Sequence, residues 1–170
     1  MTLRLIVHGP INIPVSRAGN SSVKRISDEN KRAFLIQLEE LQLERKQGCY
    51  IFALRAGRGY CPWYIGKTNR CFAYECIGPH QLEKYNEVLF SGRKGLPVMF
   101  FVAPDGRKKT VSRRVCDDLE SYLINQAFQE NAEIANGRKL NPAWMIKGVF
   151  GLGRGRPSEL EERFQLMMGI

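Results

Sequence analysis

Apolar and polar positions change rhythm several times along the chain, and each rhythm predicts an element. Residues 2–8 alternate Leu3, Leu5 and Val7 with Arg4, Ile6 and His8, a short strand pattern. Residues 9–26 are rich in Gly, Pro, Ser and Asn and read as a loop. Ser27 is a good N-cap for a helix of about 18 residues, with Phe34, Leu35, Leu38, Leu41 and Leu43 as its apolar positions and an end near Gln47-Gly48. Residues 49–54 are almost continuously apolar, as in a strand buried on both faces, and 63–65 form a second strand. The glycine-rich turn at 55–59 between them predicts an antiparallel hairpin. Residues 69–90 read as two short helices broken at Gly78-Pro79. A third strand spans 96–102. A helix of about 20 residues follows from near Ser112 to Ala135, with an apolar stripe of Val115, Leu119, Tyr122, Leu123, Ala127 and Ile134, and Asn136-Gly137 as its stop. Residues 140–155 are loop-rich, and Ser158 with Glu161 forms a capping-box pattern for a last helix at 159–168. The expected fold class is α+β: a small antiparallel three-stranded sheet flanked by helices, with an N-terminal strand-helix extension and a C-terminal basic loop plus helix.

Length and composition narrow the class. At 170 residues the chain is one ordinary domain, and 44% hydrophobic residues supply a real core. The lack of a long apolar span predicts no transmembrane helix, and the N-terminus lacks a signal-peptide pattern, so a cytoplasmic protein with no membrane partner is expected. Five cysteines, an odd count, argue against a disulfide framework. Cys71, Cys76 and His80 have loose metal-like spacing but no second pair to close a zinc site.

The formal charge of +9 invites a polyanionic partner, and its distribution says more than its size. Residues 91–114 carry seven basic groups and one acid, and 136–157 carry five basic groups and no acid. Between them, 115–135 carry five acids and no base. Arg107, Lys108 and Lys109, with Arg113 and Arg114, form one candidate phosphate track. Arg154 and Arg156, in a Gly-Arg-Gly-Arg-Pro run that resembles the core of a minor-groove hook, form another; a flexible basic loop before a helix is the plainer reading.

Tyr50 and Tyr64 stand where a hairpin sets their side chains on one face of the sheet, as core aromatics or as a functional pair. Gly48-Cys49-Tyr50 on the first strand, followed after a short interval by Tyr64-Ile65-Gly66-Lys67-Thr68, resembles the GIY-YIG endonuclease family. The first motif carries Cys49 in place of isoleucine, and the second is intact. The resemblance covers residues 47–142, leaving 1–46 as an extension and 143–170 as a C-terminal piece. It implies a divalent-metal-dependent endonuclease acting on nucleic acid, most readily DNA, with Mg²⁺ or Mn²⁺ as cofactor. It also implies roles: Tyr50 as general base, Tyr64 and Lys67 positioning water or phosphate, Glu120 holding the metal, and Asn141 orienting substrate or helix.

Glu120 borders the apolar stripe of its helix, so its carboxylate is set to enter a cleft, although a plain surface acid has the same neighbours. The family's first-helix arginine falls near Tyr74, where this chain has none. Arg70, one turn earlier, is the candidate substitute, and His80 behind Gly78-Pro79 is a second candidate, for phosphate contact or leaving-group protonation. The missing arginine motivates the alternative of a catalytically inactive nucleic-acid-binding module on the same fold. A protein-interaction domain with incidental charge is a third reading. A homo-oligomer is compatible with the sequence, which leaves the oligomeric state open.

Overall fold

The computed structural model describes residues 3–17, 23–136 and 158–168. In chain order they form β1 (Leu5–Asn12), β2 (Ser16–Arg17), β3 (Lys24–Arg25), α1 (Asp28–Glu40), β4 (Gly48–Ala56), β5 (Gly59–Thr68), α2 (Phe72–Glu75), α3 (Pro79–Phe90), β6 (Leu96–Pro104), α4 (Arg113–Glu130) and α5 (Glu159–Met168). The class is α+β, as the alternation of patterns predicts. The sheet, however, has four strands rather than three, in the order β1-β6-β4-β5 and antiparallel throughout. The first strand starts later than its alternation suggests and continues through Asn12, pairing Leu5 with Pro104 and Asn12 with Val98. Periodicity locates a strand but not its neighbour, and β6 had an edge to fill.

The segment expected to be a loop also holds the ribbon β2-β3, in which Ser16 pairs with Arg25. Asn86 of α3 holds this ribbon's exit. Its side chain accepts from the Ile26 N–H at 2.8 Å and donates to the Ile26 carbonyl at 3.2 Å.

Ser27 caps α1 as expected, reciprocated by Asn30 in a capping box. The helix ends at Glu40, short of Gln47-Gly48. Leu41 is consequently exposed, whereas Leu43 beyond the helix is fully buried. Phe34 and Leu38 of α1 join Tyr50, Phe52, Phe72, Tyr85 and Phe101 in one core on one face of the sheet. On the other face, Ile124 and Ala127 of α4 meet Ile65 of β5 in a smaller cluster.

Helix α4 departs from its predicted stripe. The buried positions are Cys116, Ile124 and Ala127, whereas Tyr122 is exposed. The helix also stops at Glu130, because residues 131–136 are drawn onto the free edge of β5. Asn131 Nδ2 donates to the Pro62 carbonyl at 2.7 Å, and the Ala135 N–H donates to the Trp63 carbonyl at 2.7 Å. Asn136 completes the seam. It accepts from the Ile65 N–H at 2.9 Å and donates to the Ile65 carbonyl at 2.7 Å, replacing one rung of a missing strand. The expected helix stop is thus a buried edge clamp. Among the described residues, no helix is long and apolar enough to cross a membrane.

Candidate functional site

The β4-β5 hairpin sets Tyr50 opposite Gly66 and Phe52 opposite Tyr64. Strand alternation then places Tyr50, Phe52 and Tyr64 on the face that carries the larger core. The Tyr50 and Tyr64 rings lie 6.3 Å apart, tilted by 38°, and Tyr85 stacks on Phe52 at 4.2 Å. Tyr50 is 1% exposed. Burial pushes its phenol far up, and the neighbouring Tyr64, Cys76 and Glu75 add to the rise, with Gln81 pulling weakly the other way. Tyr64 is half-buried and shifts in the same direction, first through burial and then through the charge of Glu120. Both phenols are therefore held protonated, the opposite of the lowered pKa that a phenolate base requires. The direction of this shift runs against the base role expected of Tyr50, whose side chain is buried in the core.

Lys67 follows on β5 with its side chain on the other face, alongside α4. Its ammonium is ion-paired with Asp117 and lies 3.3 Å from Glu120. Partial burial opposes the charged form, but the two carboxylates outweigh it and raise the lysine above its usual value. Glu120 is 14% exposed at its side chain and lies in line along α4 with buried Cys116 and Ile124, one turn to either side. The carboxylate is therefore turned toward the sheet, as its place beside the apolar stripe predicts. Ser112 caps α4 by accepting from the Val115 N–H.

Arg70 is not helical. It lies in the turn before α2, where its N–H donates to Thr68 Oγ1 at 3.0 Å, and its guanidinium sits 4.2 Å from the centre of the Tyr74 ring. Tyr74, 62% exposed, lines a cleft of about 600 Å³ with His80, Lys31, Glu75 and Gln81. His80 stands in the first turn of α3, after Gly78 and Pro79 as expected. Gln81 in that turn acts on both phenols of the tyrosine pair. Sequence reading missed Gln81, Glu75 and Asp117. Only Asp117 carried a signal, its place one turn before Ser121 and beside Glu120 in an acidic helix.

Arg107, Lys108 and Lys109 are exposed in the turn between β6 and α4, and Arg113 and Arg114 are exposed at the start of α4. Cations in the first turn of a helix oppose its dipole, and Arg113 lies 3.9 Å from the carboxylate of Asp117 one turn on. Gln47 ties this basic turn to the exit of β5. Its N–H donates to the Lys109 carbonyl at 2.8 Å and its Oε1 accepts from the Val111 N–H at 3.0 Å. Its Nε2 donates to the carbonyls of Asn69 at 2.8 Å and Arg70 at 3.2 Å.

The predicted residues thus fall into neighbouring groups: Tyr50 with Tyr64, Lys67 with Glu120, Arg70 and His80 around the Tyr74 cleft, and the basic turn held to the same end of the sheet. Asn141, Arg154 and Arg156 lie outside the described residues. Among the described residues no cluster of three or more His, Cys, Asp or Glu side chains could cage a metal. Glu120 and Asp117 nevertheless offer hard carboxylate oxygens, the donor type that suits Mg²⁺ bound through one or two carboxylates. Compared with known proteins, the chain matches no family model, no curated protein and no solved structure.

Proposed function

We propose that this protein is a GIY-YIG-like, divalent-metal-dependent hydrolase of nucleic acid phosphodiester bonds, most readily those of DNA. The observation that carries this reading is the turned-in Glu120 carboxylate, 3.3 Å from the Lys67 ammonium that follows the second motif. Glu120, aided by Asp117, would hold Mg²⁺ or Mn²⁺. Such an ion would neutralise developing phosphate charge and lower the pKa of bound water.

The chain's own groups divide the remaining work. Tyr64, the more accessible phenol, orients a water or a phosphate oxygen as a hydrogen-bond donor and acceptor. Tyr50 and Gln81 fix the Tyr64 ring from the core side. Lys67 is a point cation for the phosphate once its carboxylates engage a metal. Arg70 and His80 contact flanking phosphates across the Tyr74 cleft, and Arg107, Lys108, Lys109, Arg113 and Arg114 draw the polyanion to this end of the sheet.

A second reading, a non-catalytic nucleic-acid-binding module, is favoured by the Lys67 ammonium itself. It already satisfies both carboxylates, and Arg70 is engaged with Tyr74. Incubating plasmid, linear and single-stranded DNA with Mg²⁺ or Mn²⁺ separates the two. Cleavage by the wild type that is lost in Glu120→Gln supports hydrolysis. Binding without cleavage supports the module, and equal cleavage by both proteins removes the assignment of Glu120.

A further inference from the structure

At the far end of the sheet, the hairpin turn of β4-β5 and Lys94-Gly95 before β6 line an open groove of about 760 Å³. The strands run about 27 Å from the Gly48-Thr68 end to this turn, at roughly 3.3 Å per residue, so the groove is separate from the site above. Four cations line it, Lys24, Arg55, Arg58 and Lys94, and no carboxylate does. Among the described residues, no ion pair joins any of the four to an acid.

The groove is held in shape by backbone packing. Gly95 has φ +138°, and a Cβ there would stand 3.0 Å from the Arg55 carbonyl oxygen, so only glycine lets the two turns close. Lys24 Nζ donates to the Gly95 carbonyl at 2.6 Å and binds the ribbon to the same turn. Exposed Tyr60 stands on one wall, set edge-on to Phe100 at 5.3 Å. Like charges held together without counter-ions repel one another, and a polyanion relieves that repulsion while releasing its own condensed ions.

We infer that this groove is a second nucleic-acid-binding site, in which Arg55, Arg58, Lys94 and Lys24 hold phosphates of an unpaired strand and Tyr60 stacks on a base. The inference rests on the proposed function only for the identity of the polyanion and is independent of hydrolysis. A strand lying along the sheet reaches from this groove toward the Lys67 end.

The test is binding of a labelled single-stranded oligonucleotide, long enough to span the sheet, between about 50 and 200 mM salt. The triple variant Arg55→Ala, Arg58→Ala, Lys94→Ala is compared with a control losing exposed cations elsewhere, Arg4→Ala, Arg32→Ala, Arg163→Ala. The groove variant is expected to bind about tenfold or more weakly, with the slope of log affinity against log salt reduced by about two, since each single-strand contact contributes about 0.7. Tyr60→Ala is expected to lose about tenfold at unchanged slope. A salt slope equal to the wild type's, or an equal loss in the control, overturns the proposal. Loss in the groove variant without Glu120-dependent cleavage keeps the groove and removes the hydrolase reading. Glu120-dependent cleavage with an unchanged slope does the reverse, and a wild type that binds no single strand removes the groove assignment while duplex cleavage still decides the hydrolase reading.

Discussion

The Tyr50 ring lies directly against Gly66, so closely that a Cβ on residue 66 would stand 2.3 Å from Tyr50 Cζ and 2.4 Å from its hydroxyl oxygen. The two motifs of the hairpin are therefore one packed unit, with the glycine of the second making room for the tyrosine of the first. Gly66→Ala is expected to destabilise the fold by about 1–3 kcal/mol through overpacking. Because the clash is with one ring, a double-mutant cycle with Tyr50→Ala measured by denaturant unfolding should be strongly non-additive, the second change costing much less in the presence of the first. Additive losses would mean that the ring and the glycine do not depend on each other.

Asn136 supports the same strand from outside. Asn136→Ala removes a donor and an acceptor from the buried backbone of Ile65, an expected cost of about 2–3 kcal/mol. The measurement is chemical denaturation combined with hydrogen exchange, in which the Ile65 amide should lose protection before the amides of β4 do. A loss of stability with Ile65 protection intact would place the effect elsewhere.

Lys67 and Glu120 give a prediction that runs in opposite directions. Glu120→Gln is expected to lower metal-dependent cleavage by about a hundredfold or more, as loss of a metal ligand or its immediate support does. Lys67→Met should instead tighten Mn²⁺ binding, because it leaves Asp117 and Glu120 without their ammonium. Titration with Mn²⁺, followed by its effect on water proton relaxation, measures this without reference to cleavage.

Alkaline pH should destabilise the fold, and the sign follows from the direction of the shifts. Tyr50 and Lys67 both have folded-state pKa values raised above their ordinary 10.0 and 10.5. The stability linked to each is fully present below that ordinary value and is lost as pH rises past it toward the folded value. For Tyr50 the cause is burial of a phenol that must stay neutral. For Lys67 it is the pair of carboxylates, which outweigh partial burial. Phenolate absorbance should therefore appear for Tyr50 only as the chain unfolds, and Tyr50→Phe should flatten the decline in stability above pH 10. A Tyr50 that ionises in the folded chain at its ordinary pKa would contradict the sealed position.

Much of this arrangement is legible along the chain, and the reasons are local. Ser27, Ser112 and Gly78-Pro79 announce helix starts because a cap is a short-range hydrogen bond or a fixed φ, and each starts the helix expected of it. The β4-β5 hairpin is legible because its turn residues and flanking apolar runs lie within one short stretch. Glu120 is legible as an inward carboxylate because helical spacing sets it beside apolar neighbours.

What stays hidden depends on distant parts of the chain. Nothing near Leu5 announces that it pairs with Pro104, and nothing near Asn136 announces that it reaches Ile65. Tyr122 looked like core because its type is apolar, but Cys116, Ile124 and Ala127 face the sheet and turn it outward. Gln81 is a polar residue in the first turn of a helix, and only the tertiary fold brings it to two phenols. The upward direction of the Tyr50 shift is equally illegible, since it is set by burial in the core rather than by the residue type.

The seam along β5 also bears on how this sheet meets other chains. An open sheet offers a row of unpaired backbone groups at each margin, the usual template for unwanted strand addition. Here Asn131, Ala135 and Asn136 occupy the outward-facing groups of Pro62, Trp63 and Ile65. The opposite margin, β1, is interrupted where its register shifts between His8 and Ile11, a stretch that includes Pro10, which has no N–H to donate. Among the described residues neither margin presents a long unbroken ladder, which leaves less template for strand addition beside the exposed Ile6 and Val7 of the outer strand.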